Sequence, residues 1–266
     1  MLFDEPSRQP LPNEPELADH RAAVIKGALG SIPVLGNVLA EELGLLLAPP
    51  LTQRRDAWLE DLARRLRDLE AKITGFRFDD LCNNEQFVSA TAQATQAVLR
   101  THQVEKLAAL RNAVLNVATG KELDTDRQAQ FVALVDRFAS AHLTLLRFFQ
   151  DPAGHFSRRG IAPPATFSQA ELLAYQLVSA AMPEFCQQMQ SPSTDRSASK
   201  FQLLQMFFDD LTSAKLIALK RIKDNEAWVI PRFSHPVPYP LAPLTTDLGD
   251  DFLTFIGEPR TGEEQS

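Results

Sequence analysis

Trp58, Leu62, Leu66, Leu69 and Ile73 recur every three or four residues along a charged segment, and the same spacing returns down most of the chain. An apolar stripe of that period lies along one face of a helix, whereas a strand would need strict alternation. The chain is therefore committed to packing helix on helix. Phe87, Ala90, Ala94 and Val98 form one such face. Val104, Leu107, Leu110, Val114 and Leu115 form a second, and Gly120 stops it. Thr125 and Gln128 have capping-box spacing ahead of Phe131, Leu134, Val135 and Phe138. Ser140 restarts the chain into Leu143, Leu145, Leu146, Phe148 and Phe149, with Asp151-Pro152 as the expected stop. Each helix is expected to be apolar on one face only, so residues 76–150 read as a helical bundle.

Beyond it the pattern changes. Residues 152–164, rich in Gly, Pro and Arg, read as a long loop. Ser168 and Glu171 open a helix through Leu172, Leu173, Leu177 and Val178 that stops at Pro183. A helix over 201–211 is expected to bury Leu204, Phe207, Phe208 and Leu211. Segments 216–222 and 227–233 flank Asp224-Asn225-Glu226, which suits a β-hairpin. Pro231, Pro236, Pro238, Pro240 and Pro243 keep the next stretch extended, and Thr246 caps a closing helix through Leu248, Phe252, Phe255 and Ile256.

The N-terminal part is different in kind. Pro6, Pro10, Pro12 and Pro15 fall in a polar arm, residues 1–16, expected to be disordered and lacking the apolar core of a signal peptide. Residues 257–266 read as a solvated tail. Between the arm and the bundle, residues 17–75 comprise an entry helix, an apolar hairpin over 27–50 and an amphipathic linking helix over 54–72 that Gly75 ends. Pro33 breaks the hairpin, and Pro49 and Pro50 stop its second half, residues 34–47. At about 1.5 Å per residue that half reaches about 21 Å, short of the roughly 30 Å of a bilayer core. It also carries Glu41 and Glu42. It does not span a membrane alone. Ile32, Pro33, Val34, Leu35, Val38, Leu39, Leu43 and Leu46 are the expected contacts for a protein partner, a second copy of the chain or, in the alternative, a membrane surface.

Three helices, a two-stranded wing and a closing helix make the order of a winged-helix domain, and residues 151–256 resemble one. Residues 209–217 look like its third helix entering the wing, and 244–256 like its closing helix. Residues 106–116 and 142–149 are similar to uncharacterised bacterial proteins akin to the abortive-infection alpha-like family. So are Ile32-Pro33-Val34-Leu35-Gly36 and the Pro50-to-Arg55 helix start. The resemblance implies a bacterial cytoplasmic protein with a role in phage defence. It supplies no catalytic residue.

The chemistry of single residues points the same way. No P-loop, G-x-G-x-x-G, H-E-x-x-H, C-x-x-C or G-x-S-x-G motif occurs. Cys82 and Cys186 fall in apolar helical surroundings and read as buried structural thiols, and two cysteines fit a reducing compartment. His102 and Glu105 lie one helical turn apart with His142 as a third ligand type, yet too few inward carboxylates accompany them for a di-metal bundle. Arg158-Arg159 reads as a solvated pair, with phosphate or carboxylate binding as the alternative. For DNA, Gln202, Gln205, Lys220, Arg221 and Lys223 are the candidate contacts. Asp209 and Asp210 beside them, and a net charge of −7, oppose a phosphate backbone.

The expectation is a mainly α protein: a helical bundle with an N-terminal apolar helical hairpin and a C-terminal winged-helix-like module containing a small β-hairpin. Its expected role is non-enzymatic protein interaction in the cytoplasm, with no cofactor, metal or small-molecule substrate. A winged-helix transcriptional regulator and a membrane-disrupting effector are the alternatives.

Overall fold

A computed structural model describes residues 49–120, 123–162, 174–188, 202–221, 228–229 and 241–259. Over these residues the chain is mainly helical, with ten α-helices, one 3-10 helix and one two-rung strand pairing among the described residues. The apolar hairpin, with Ile32, Pro33, Val34, Leu35, Val38, Leu39, Leu43 and Leu46, lies outside them, as do the polar arm and the capping pair Ser168 and Glu171. The described residues divide into two compact units, one of 49–102, 114–120, 123–125 and 259, the other of 103–113 and those between 126 and 258.

In the first unit, α1 (Pro49–Lys72) packs against α2 (Glu85–Arg100), with a 3-10 helix (Phe78–Asn83) between them in sequence. Pro49 and Pro50 open α1: a first-turn residue has no intrahelical use for its N–H, so proline's missing donor is harmless there. The expected α1 stripe is buried at Trp58, Leu62, Leu66 and Leu69, and Gly75 takes φ +86° in the turn that follows. On α2 the small residues Ala90, Ala94 and Ala97 are buried beside Phe87 and Val98. Thr91 and Thr95 are fully buried too, and their hydroxyls donate to the Phe87 and Thr91 carbonyls, both at 2.7 Å. That back-bonding satisfies two hydroxyls that would otherwise be costly to bury. Asn84 caps α2, its side-chain oxygen accepting the Phe87 N–H at 3.0 Å.

α3 (Val104–Ala118) departs from the expected face. Val104 is 73% exposed, and Lys106 is buried in its place, its ammonium donating to the Asp136 carbonyl at 2.8 Å. Val104 stands at the first helical position, where no preceding turn covers it. Residues 112–118 are all buried, so this half of α3 is enclosed on every side rather than on one.

The second unit is built on phenylalanine. It contains α4 (Thr125–Arg137) from its second residue on, α5 (Ser140–Gln150), α6 (Pro152–Arg159), α7 (Ala174–Ala181), α8 (Pro183–Gln188), α9 (Gln202–Ser213), β1 (Lys220–Arg221), β2 (Trp228–Val229) and α10 (Asp247–Ile256). α5 packs on α6, α9 and α10. It is buried nearly all round, with only Arg147 exposed, which again corrects the one-face expectation. Phe131 meets Phe252 edge-on at 5.2 Å and Phe255 at 5.5 Å, while Phe149 meets Phe148 at 5.4 Å and Phe208 at 5.8 Å. All six rings are at most 2% exposed. Each contributes about 1.5–3 kcal/mol by burial, and edge contacts add to that.

Two further expectations change here. The start of the expected loop 152–164 is α6, a capped two-turn helix, and Pro183 opens α8 instead of merely stopping α7. Of the expected hairpin, the described residues hold Lys220 opposite Val229 and Arg221 opposite Trp228. The Asp224-Asn225-Glu226 turn lies outside them. Downstream, Ile217 bridges Thr245, and the Ala218 N–H donates to the Leu244 carbonyl at 2.8 Å. Thr246 caps α10 as expected, its hydroxyl accepting the Gly249 N–H at 3.1 Å.

Candidate functional site

One closely held polar side chain is His142, at the third position of α5 and 4% exposed. The Ala139 backbone N–H donates to Nδ1 at 3.0 Å. Nδ1 is thus the acceptor, and the ring hydrogen is on Nε2, which donates to Asp210 Oδ2 on α9 at 3.1 Å. Phe138 stacks on the ring at 4.7 Å and Phe207 meets it edge-on at 4.5 Å. Burial pushes the His142 pKa below its ordinary 6.5, outweighing the pull of Asp210. A neutral imidazole with both nitrogens engaged inside its own unit completes a helix terminus. His102 and Glu105 are exposed.

Asp151, Arg158 and Arg159 define the ends of α6. The Asp151 carboxylate accepts the Gly154 N–H at 2.7 Å and pairs with Arg158 at 3.0 Å. The amide bond, more than Arg158, holds its pKa below 3.8. Arg159 donates to the Ala181 carbonyl at 3.1 Å. The arginine pair is exposed, as expected, but tied to protein at both members.

A recess of about 340 Å³ opens beside α6 and α8, lined by Thr144, His155, Arg159, Met182, Glu184 and Gln188. The His155 ring also bonds the Ala181 carbonyl, and burial lowers its pKa, with the two arginines adding to the effect. Its Nε2 is buried without a hydrogen-bond partner. Cys186 is 2% exposed, and burial raises its thiol pKa, the opposite of what a nucleophile needs. No group of three or more His, Cys, Asp or Glu side chains able to hold a metal occurs among the described residues.

The candidate DNA contacts are only partly brought together. Gln202 and Lys220 are exposed and Gln205 is half-buried. Arg221 belongs to β1, and Lys223 lies outside the described residues. The outward face of α9 also carries Leu203 at 40% and Met206 at 48% exposure, which the reading of its buried face overlooked. The spacing of Leu203 and Met206, three residues apart and off the 204–208–211 stripe, was the available signal. No helix among the described residues is long and apolar enough to cross a membrane.

Comparison with protein-family models, with curated proteins and with solved structures returns no match for this chain.

Proposed function

We propose that this chain is a non-enzymatic interaction protein that self-associates through its apolar segment 27–50, in the phage-defence setting implied by its resemblance to the abortive-infection alpha-like family. The observation that carries the reading is how its reactive side-chain types are used. His142 completes the N-terminus of α5, Asp151 and Arg158 close α6, Arg159 ties α6 to the Ala181 carbonyl, and Cys186 is buried. Groups held in this way build a scaffold.

The order α9, β1 with β2, then α10 supports a winged-helix-like module, and its surface favours protein over DNA as the thing contacted. A groove-reading helix needs polar side chains on its outward face. α9 offers Leu203 and Met206 there, with Asp209 and Asp210 on the same helix to repel phosphate. The regulator reading keeps Gln202 and Lys220 as its exposed polar contacts.

Light scattering on the full chain across a wide concentration range tests the proposal. The expected result is a mass above one chain that the double variant Leu35→Glu, Leu39→Glu returns to one chain. A single-chain mass throughout would overturn self-association. A gel shift at about 50 mM salt, where phosphate contacts are strongest, that Lys220→Glu abolishes would favour the regulator instead. Leakage of anionic vesicles lost in the same double leucine variant would favour the membrane-disrupting effector.

A further inference from the structure

His142 is held by two hydrogen bonds that only its neutral form satisfies together. Nδ1 accepts the Ala139 N–H while Nε2–H donates to Asp210. A proton added at Nδ1 would set donor against donor in the first turn of α5, where unpaired N–H groups already make the helix end positive. Rotation offers no relief, because the ring is clamped between Phe138 and Phe207. Phe207 and Asp210 sit one turn apart on α9, so a ring that moves disturbs both contacts α9 makes with it.

We propose that His142 is a proton-operated latch: neutral, it ties the first turn of α5 to α9; protonated, it releases the Ala139 amide and loosens α9 against α5. The charged groups around it set the direction. Asp210 on α9 favours the protonated ring and works against release, while Arg137 at the end of α4 disfavours it. Asp209 is the other acid on α9, and Lys106 of α3 bonds the Asp136 carbonyl near the end of α4. Asp250 of α10 bonds Gln150, and His155 of α6 meets Phe148, both toward the opposite end of α5. The latch acts on the helix that also presents Leu203 and Met206, so acidification would reach an exposed apolar surface. It does not depend on self-association through segment 27–50.

Amide hydrogen exchange on the full chain, read by NMR at Ala139 and along α9 and corrected for intrinsic rates, tests this. Between about pH 7.5 and about pH 5, protection at these amides is expected to fall by about tenfold for each unit by which the folded-state pKa lies below the ordinary one. Asp210→Asn, which keeps an acceptor and removes the charge, should extend the fall to lower pH. His142→Gln can keep both hydrogen bonds without titrating and should show no fall. Unchanged protection in the wild type, an equal fall in His142→Gln, or a fall that Asp210→Asn leaves in place would each overturn the latch. Should His142→Gln fail to fold, the wild type and Asp210→Asn decide it between them.

Discussion

Gly249 stands in the first turn of α10 with the Leu216 carbonyl oxygen 2.1 Å from where a Cβ would be. That approach lets the Thr246 N–H donate to the same carbonyl at 3.0 Å, seating α10 on the chain that leaves α9. Gly249→Ala must push backbone against backbone, and it is expected to cost about 1–3 kcal/mol, read as a lower denaturant midpoint. One position earlier in the same junction, Lys215 adopts φ +62°. The Leu216 N–H reaches the Leu211 carbonyl at 3.0 Å, and the Lys215 N–H reaches that of Thr212 at 2.9 Å. This is a Schellman ending with lysine where glycine is usual. Lys215→Gly should therefore stabilise the protein, by up to about 1 kcal/mol, and raise the midpoint. A midpoint that stays put would mean the lysine stem recovers by packing what its backbone loses.

α6 shows what each kind of element depends on. Asp151 accepts from the Gly154 N–H, Pro152 fills the first helical position, and Gly160 closes the helix at φ +64°, with Ile161 bonding back to Phe156. Asp151→Ala removes the cap and should cost about 0.5–2 kcal/mol at neutral pH. The Asp151 pKa is held below its ordinary value in the fold. Its contribution is therefore complete above pH 3.8 and is lost as pH falls through the lower folded-state value. The gap between wild type and Asp151→Ala should accordingly narrow in acid. Every signal for α6 was present in the sequence, as Asp-Pro to start and Gly to stop, yet the same Asp-Pro also reads as the end of α5. Both readings hold, because one residue links two consecutive helices. The α1, α2 and α9 stripes were legible because each helix buries one side. The apolar residues expected on α5 and in the second half of α3 are buried as well, but that both stretches are enclosed nearly all round was not legible, since their short polar positions gave no sign of being covered. Lys106 and the Asp210 partner of His142 were hidden for another reason: both bonds join residues 30 or more apart in sequence.

At the scale of the molecule, the second unit draws its core from phenylalanine, the dominant aromatic at 17 residues against two each of Tyr and Trp. Such a core gains from burial without needing partners for ring hydroxyls or indoles. Its interior also holds polar contacts, such as Asn112 donating to the Ile256 carbonyl at 3.1 Å. Segment 27–50 is proposed as a surface for a second copy of the chain. If binding between copies stabilises the native state, the melting temperature must rise with protein concentration. Thermal unfolding of the full chain and of Leu35→Glu, Leu39→Glu across a range of concentrations tests that most directly. The account predicts a Tm that climbs with concentration in the wild type and is flat in the variant, with unfolding still cooperative in both. Loss of the cooperative transition in the variant would make the segment part of the core, and a flat Tm in the wild type would remove self-association; either result contradicts the account.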